Sequence, residues 1–257
     1  MKRKLQMERI TSRKNPFVLR LRALASDGSL RRESGETVLD GAKLLGEAVS
    51  AGADVTGILF AEGTNTGALP GCPVYSAPAE LVGYASPVKN SPGPVFSVRM
   101  PEPKRPERIR HAVVLENMQD PGNVGTLIRT ANALGVDAVI LVGDCADFTS
   151  PRAVRASMGA AFRQYVYACR VQELPDLLQG MGLKLLGAAL SDGAQDLRDA
   201  DLAHCAVAVG NEGHGLSREL LDMCDGTVII PMRPGSESLN AAAAGAVLMW
   251  ELAGSSL

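Results

Sequence analysis

Three features of the sequence predict an α/β protein in two parts. The composition breaks at "PEPKRPER", residues 101–108, where three prolines and five charges stand without an apolar side chain. Behind the break, apolar runs such as "AVVLENM" and "DAVILVG" do not alternate with polar residues and are separated by helical patterns. That is the pattern of a mostly parallel sheet covered on both faces. Finally, the runs end in polar or glycine-rich junctions at Asn117, at Asn211–Glu212 and at Pro231–Met232. Ligands of such sheets bind beyond the strand carboxyl ends, so these three junctions are expected on one rim.

A chain of 257 residues, 46% hydrophobic and 21% charged, is long enough for two cores. It has no apolar run long enough to cross a membrane, and no apolar h-region follows its basic start, so a cytoplasmic protein is expected. Five well-separated cysteines, Cys72, Cys145, Cys169, Cys205 and Cys224, form neither a disulfide framework nor a metal cluster and suit a reducing compartment. The net charge of -2 hides an asymmetry, because residues 1–32 hold ten Lys/Arg against Glu8 and Asp27. Such an arm either meets a phosphate backbone or is a solvated terminus; charge alone leaves both open.

The first part, residues 1–100, reads as a small α/β unit. "NPFVLRLRALA" has helical spacing with Pro16 near its start, and "GAKLLGEAVSAG" is a helix ending at Gly52. "VTGILFAEG" is a strand, "CPVYSAPAELVGYAS" a short strand and a short helix, and "SPGPVFSVRM" a terminal strand entered through Pro94. Residues 101–109 form the linker. In residues 110–257 the order is strand "AVVLENM", helix "VGTLIRTANALG", strand "DAVILVG", helix "ELPDLLQGMG" and strand "LKLLGAAL". Strands "HCAVAVGNE" and "TVIIPM" follow, and "SLNAAAAGAVLMWELAG" closes the chain as a long helix.

The junctions narrow the chemistry. No GxGxxG follows the first strand of the second part, and "GTLIRT" lacks the GK[ST] element of a phosphate loop. His111, His204 and His214 have no ligand spacing, and no serine sits in a G-x-S-x-G elbow. Asn123 lies among Pro121 and two glycines, where it either bonds locally or meets a ligand. Arg129 has Gly125 four residues before it; it is a snorkelling surface residue or a functional cation. Glu212 stands between Gly210 and Gly213, in an acidic turn or a loop whose backbone approaches a ligand closely. Ser236 or Ser238 is positioned to cap the closing helix, and Asn240 lies beside them.

Together, "ENMQDPGNVGTLIRTANALG", "SPRAVRASMGA", "VAVGNEGHGLS" and "IIPMRPGSESLNAAAAGAV" resemble, in this order, the signature motifs of the SpoU (TrmH-like) RNA ribose 2'-O-methyltransferases of the SPOUT superfamily. "ITSRKNPFVLRLRAL" and "GAKLLGEAV" resemble the ribosomal-protein-like substrate-binding domain that many members carry, so the likeness spans nearly the whole chain. Asp40 stands where members often have glutamate, and His214 fills a variable position.

The resemblance implies a catalytic domain with a deep trefoil knot, which no pattern in the sequence would foretell. It implies S-adenosyl-L-methionine as cofactor, held by Gly210, Ile230 and Leu239, without a metal. It implies transfer of the methyl group to a ribose 2'-hydroxyl of structured RNA, most simply ribosomal RNA. The alternatives are the same reaction on tRNA, or a non-catalytic RNA-binding assembly factor. Arg129 matches the catalytic arginine, whose part is to accept the hydroxyl proton or only to position and polarise the hydroxyl. Asn123 and Glu212 orient that group, and Ser238 and Asn240 match the remaining polar residues of the acceptor side. A homodimer is implied as well. In this reading a loop carrying Asn123 and a helix carrying Arg129 reach one ribose.

Overall fold

The computed structural model describes residues 7–64, 71–102, 104–191, 193–211, 213–233 and 238–254. Two compact units emerge. One holds the described residues of Met1–Glu102 with Thr149–Phe162, and the other those of Pro103–Phe148 with Arg163–Leu257.

In the first unit the chain runs through β1 (Glu8–Arg9), α1 (Pro16–Ser26), α2 (Gly28–Ser34), β2 (Glu36–Asp40) and α3 (Ala42–Ser50). It continues through β3 (Asp54–Ala61), β4 (Val74–Ala77), α4 (Ala79–Ala85) and β5 (Val95–Arg99). The sheet order is β1-β4-β3-β5-β2, with β5 antiparallel to both β2 and β3. Helix α1 begins where "NPF" dictates: the Asn15 side chain accepts from the Phe17 N–H, and Pro16 occupies the first turn, where its missing N–H costs nothing. Asp27 closes α1 and caps α2, accepting from the Ser29 and Leu30 N–H groups. Val18, Leu21 and Leu24 recur on one face of α1 and join Val38, Leu59, Val82 and Val95 in a core at 0% exposure. Burying each such side chain contributes roughly 1.5–3 kcal/mol. Strand β2 and helix α2 are short, and no periodic pattern announces them.

The second unit opens with β6 (His111–Glu116), α5 (Pro121–Leu134) and β7 (Ala138–Val142). The next helix, α6 (Pro151–Ala156), and the 3-10 turn Ala160–Phe162 belong to the first unit. There Arg155 donates to Asp40 Oδ1 at 3.2 Å. Residues 149–162 lie behind the proline-rich linker in sequence, and a contact across 115 positions leaves no mark on local composition.

The second unit resumes with β8 (Tyr165–Cys169), α7 (Leu174–Met181), β9 (Lys184–Ala188), β10 (Gln195–Asp196) and β11 (Cys205–Val209). It ends with α8 (Arg218–Asp222), β12 (Gly226–Ile229) and α9 (Ala241–Gly254). Its strands lie in the order β10-β12-β9-β11-β6-β7-β8, and every neighbouring pair is parallel.

Strand side chains alternate between faces. Ala112, Val114, Ile140, Ala206 and Ala208 pack with Leu174, Leu178 and Leu220 of α7 and α8. The intervening Val113, Leu115, Val139, Leu141 and Val207 are equally buried, under α5 and α9. Both faces being covered explains why these strands read as unbroken apolar runs. α5 and α9 pack closely, because a Cβ at Gly245 would stand 2.3 Å from Leu127 Cδ2. Among the described residues, no helix is long and apolar enough to cross a membrane.

Candidate active site

Because the strands of the second unit are parallel, β6, β9, β11 and β12 end at one edge, with Leu115 beside Val209 and Val228 beside Ala188. The expected rim therefore exists, and its loops are held by a hydrogen-bonded frame. Glu116, the last residue of β6, is 3% exposed, and its carboxylate accepts from the Ser217 N–H at 2.7 Å and the Ser217 hydroxyl at 2.5 Å. The same hydroxyl oxygen accepts from the Leu220 N–H, capping α8. Asn117 follows in the left-handed region at φ 50, where its carbonyl accepts from Asn211 Nδ2 at 3.0 Å and its Oδ1 from the Asp144 N–H at 2.8 Å. Gly143, opposite, has to be glycine: its φ is 71 and a Cβ would lie 2.4 Å from Asn117 Oδ1.

Strand β11 runs into a loop folded tightly on itself. Asn211 N–H donates to the Gly215 carbonyl and Gly215 N–H to the Asn211 carbonyl, at 3.1 and 2.8 Å. The Asn211 side chain also accepts from the Gly213 N–H at 2.8 Å. A Cβ at Gly210 would stand 2.1 Å from the Gly215 carbonyl carbon, so that position admits no side chain. Ile230 follows β12 half-buried, while Leu239 is 42% exposed. The loop thus brings bare backbone to the strand edge at Gly210, and Ile230 and Leu239 add apolar side chains from the segments around β12. Glu212 lies outside the described residues, as do Ser236 and residues 234, 235 and 237.

On the other side of β6, Asp120 caps α5, accepting from the Gly122 and Asn123 N–H groups, and Pro121 fills the first turn. Asn123 therefore stands inside the helix, not in a loop before it as the sequence pattern had it. An Asp-Pro pair at the strand end was the signal for this earlier start. Six residues along a helix place Arg129 about 9 Å further down the axis and roughly 120° around it from Asn123. Helical side chains tilt toward the N-terminus, which carries the Arg129 guanidinium back along α5. Arg129 is exposed, and among the described residues its side chain has no hydrogen-bond or ion-pair partner.

Asn240, rather than a serine, begins α9, its side chain accepting from the Ala242 and Ala243 N–H groups at 3.0 and 3.3 Å. Ser238 is exposed two residues earlier. Glu116, Asn117, Asn211 and Ser217 frame the site without standing among the expected site residues. Their clue is a carboxylate and an amide ending an apolar strand. Cys145 lies beside Asn117 and donates to the Leu115 carbonyl, and burial pushes its thiol up. Among the described residues no group of His, Cys, Asp or Glu is placed to hold a metal.

A parallel sheet with glycine-framed loops at one edge, matched by family signatures over residues 110–250, makes this chain a member of the SpoU rRNA methylase family. An uncharacterized tRNA/rRNA methyltransferase from Synechocystis sp. is 33% identical across 94% of this chain and 92% of its own length. The 23S rRNA (guanosine(2553)-2'-O)-methyltransferase RlmP of Bacillus subtilis is 37% identical across 60% of this chain and 62% of that protein. The AdoMet-bound rRNA methyltransferase of Sinorhizobium meliloti superposes with a TM-score of 0.85 at 26% identity, covering 98% of this chain and 99% of that one.

Proposed function

We propose that this protein transfers a methyl group from S-adenosylmethionine to a ribose 2'-hydroxyl of structured RNA, and that the RNA is ribosomal. The observation that carries this reading is the likeness, across 98% of the chain, to a structure of an AdoMet-bound rRNA methyltransferase. The cofactor, when bound, supplies a methyl group already made electrophilic by the sulfonium. The protein's tasks are therefore alignment and the handling of the hydroxyl proton.

Gly210, Ile230 and Leu239 hold the cofactor, the first by its backbone and the other two by apolar contact. The Glu116–Ser217 and Asn117–Asn211 bonds keep that loop in place. Arg129 carries the acceptor side. A guanidinium is always protonated and has no lone pair to accept a proton, so it positions the ribose and stabilises developing negative charge while the hydroxyl proton passes to solvent. Asn123, Glu212, Ser238 and Asn240 complete the acceptor side. The second unit ends in a trefoil knot. In support, β12 lies beyond β9 in the sheet while α9 packs on α5, β6 and β11.

Two copies pair through apolar surface that includes α9, where Val247 and Trp250 are 39% and 61% exposed. The five cysteines, all free, favour the cytoplasm. Mapping 2'-O-methyls in total RNA from cells with and without the gene tests the reaction, together with transfer of radiolabelled methyl to ribosomal RNA in vitro. A ribosomal position lost with the gene supports it, and loss on tRNA moves the substrate. No label on any RNA, with cofactor binding intact, leaves a non-catalytic RNA-binding factor.

A further inference from the structure

The first unit carries a groove of about 600 Å³, lined by Arg13, Glu80, Gly83, Lys89, Asn90 and Ser91 among others. It lies between the residues ahead of α1, the first turns of α4 and the loop leading to β5. Its charged lining is two cations, Arg13 and Lys89, against one carboxylate. The Arg13 guanidinium stands 4.6 Å from the centroid of the Tyr84 ring, and Arg22 stands 4.9 Å from the same centroid. Arg22 also donates to the Tyr84 carbonyl. A guanidinium resting on a ring is ordered in advance and keeps its N–H edges for an anion.

Arg13 and Lys89 are exposed, and among the described residues neither forms an ion pair. The loop adds neutral donors. Asn90 is held in the left-handed region at φ 58, and the Ser91 hydroxyl oxygen accepts from the Gly93 N–H, leaving its hydrogen to donate outward. The opposing charge is Glu80, in the first turn of α4.

We propose that this groove holds a phosphate of the RNA backbone, bound between Arg13 and Lys89, and so positions the substrate on the first unit. The proposal rests on the RNA-methylating reading and names the surface that reading leaves open. Arg13 and Lys89 supply two charges to a single anion, and Asn90 and Ser91 supply hydrogen bonds that tolerate any base sequence. Contact of this kind gives affinity and register without reading sequence.

The test uses the full chain with ribosomal RNA, comparing wild type with R13A/K89A, E80Q and, away from the groove, R32A. We expect R13A/K89A to weaken RNA binding about tenfold at low salt. Its slope of log affinity against log salt should be shallower by about one, because a lost phosphate contact releases fewer counterions. KM for RNA should rise while kcat and S-adenosylmethionine affinity hold. E80Q should move in the opposite direction, since it removes the opposing charge while leaving the groove's shape unchanged, and R32A should move the slope less than R13A/K89A. Equal slopes in R13A/K89A and R32A, or an E80Q that binds no tighter, would overturn the groove. A wild type that transfers no methyl to any RNA defeats the proposed reaction instead, and the groove is then judged by binding alone.

Discussion

The Glu116 carboxylate binds both the N–H and the hydroxyl of Ser217, 101 residues away, at 2.7 and 2.5 Å. The bond ties the end of β6 to the start of α8 and thereby pins the far end of the loop that follows β11. A carboxylate this buried is stable only because it is bonded, and its partner then has no other acceptor. We expect E116A to lower stability by about 1–3 kcal/mol and to weaken S-adenosylmethionine binding, with E116Q intermediate. Denaturant unfolding and calorimetry check both. Cofactor affinity equal to wild type in a folded E116A would show that the loop keeps its shape unaided.

Arg129 stands on α5, which follows β6, whereas the loop that carries Gly210 follows β11. R129A should therefore abolish methyl transfer while leaving S-adenosylmethionine affinity nearly intact. Loss of a positioned group that strengthens in the transition state costs roughly 3 kcal/mol, about a hundredfold or more in rate. R129K keeps the charge but loses the planar fork, and it should also be seriously impaired. Single-turnover transfer of labelled methyl, beside calorimetry, separates the two sides; undiminished turnover in R129A places catalysis elsewhere.

At Gly210 the smallest change is the informative one. G210A puts a methyl group 2.1 Å from the Gly215 carbonyl carbon, with backbone rather than a flexible side chain in the way. The loop has to reopen, and we expect cofactor binding to fall at least tenfold while circular dichroism stays native. Wild-type affinity in G210A would remove this loop from the cofactor site.

Burial pushes the Cys205 thiol from 9.0 to about 12, and Cys224 to about 11. The native protein should therefore resist iodoacetamide at pH 8 at both positions, read by mass spectrometry, until it is unfolded. The folded state holds these protons more tightly than the unfolded chain. Their contribution to stability is thus complete below about pH 9 and falls as pH rises toward 12. Alkylation of native Cys205 at the rate of a free thiol contradicts this.

Local chemistry and periodicity foretell most elements of both units. Pro16 and Asn15 start α1, the unbroken run "AVVLE" requires a strand covered on both faces, and Gly135 ends α5 in the left-handed region that glycine adopts freely. These are short-range effects, carried by neighbours within a turn or by the alternation of a single strand. The parallel strands also bring the ends of β6, β11 and β12 to one edge, a consequence of their order as βα units. Beyond this, the outcome depends on contacts between distant residues. Nothing near Gly210 says that Gly215 will press against it, nothing near Glu116 names Ser217, and nothing near Asp40 names Arg155. The start of α5 turned on Asp120, whose side chain outweighed the loop-like look of "DPGN" by satisfying two N–H groups at once. A hydrogen bond across a hundred residues costs chain entropy that only the assembled sheet offsets, so its partners are chosen by the fold and not by the residues beside them.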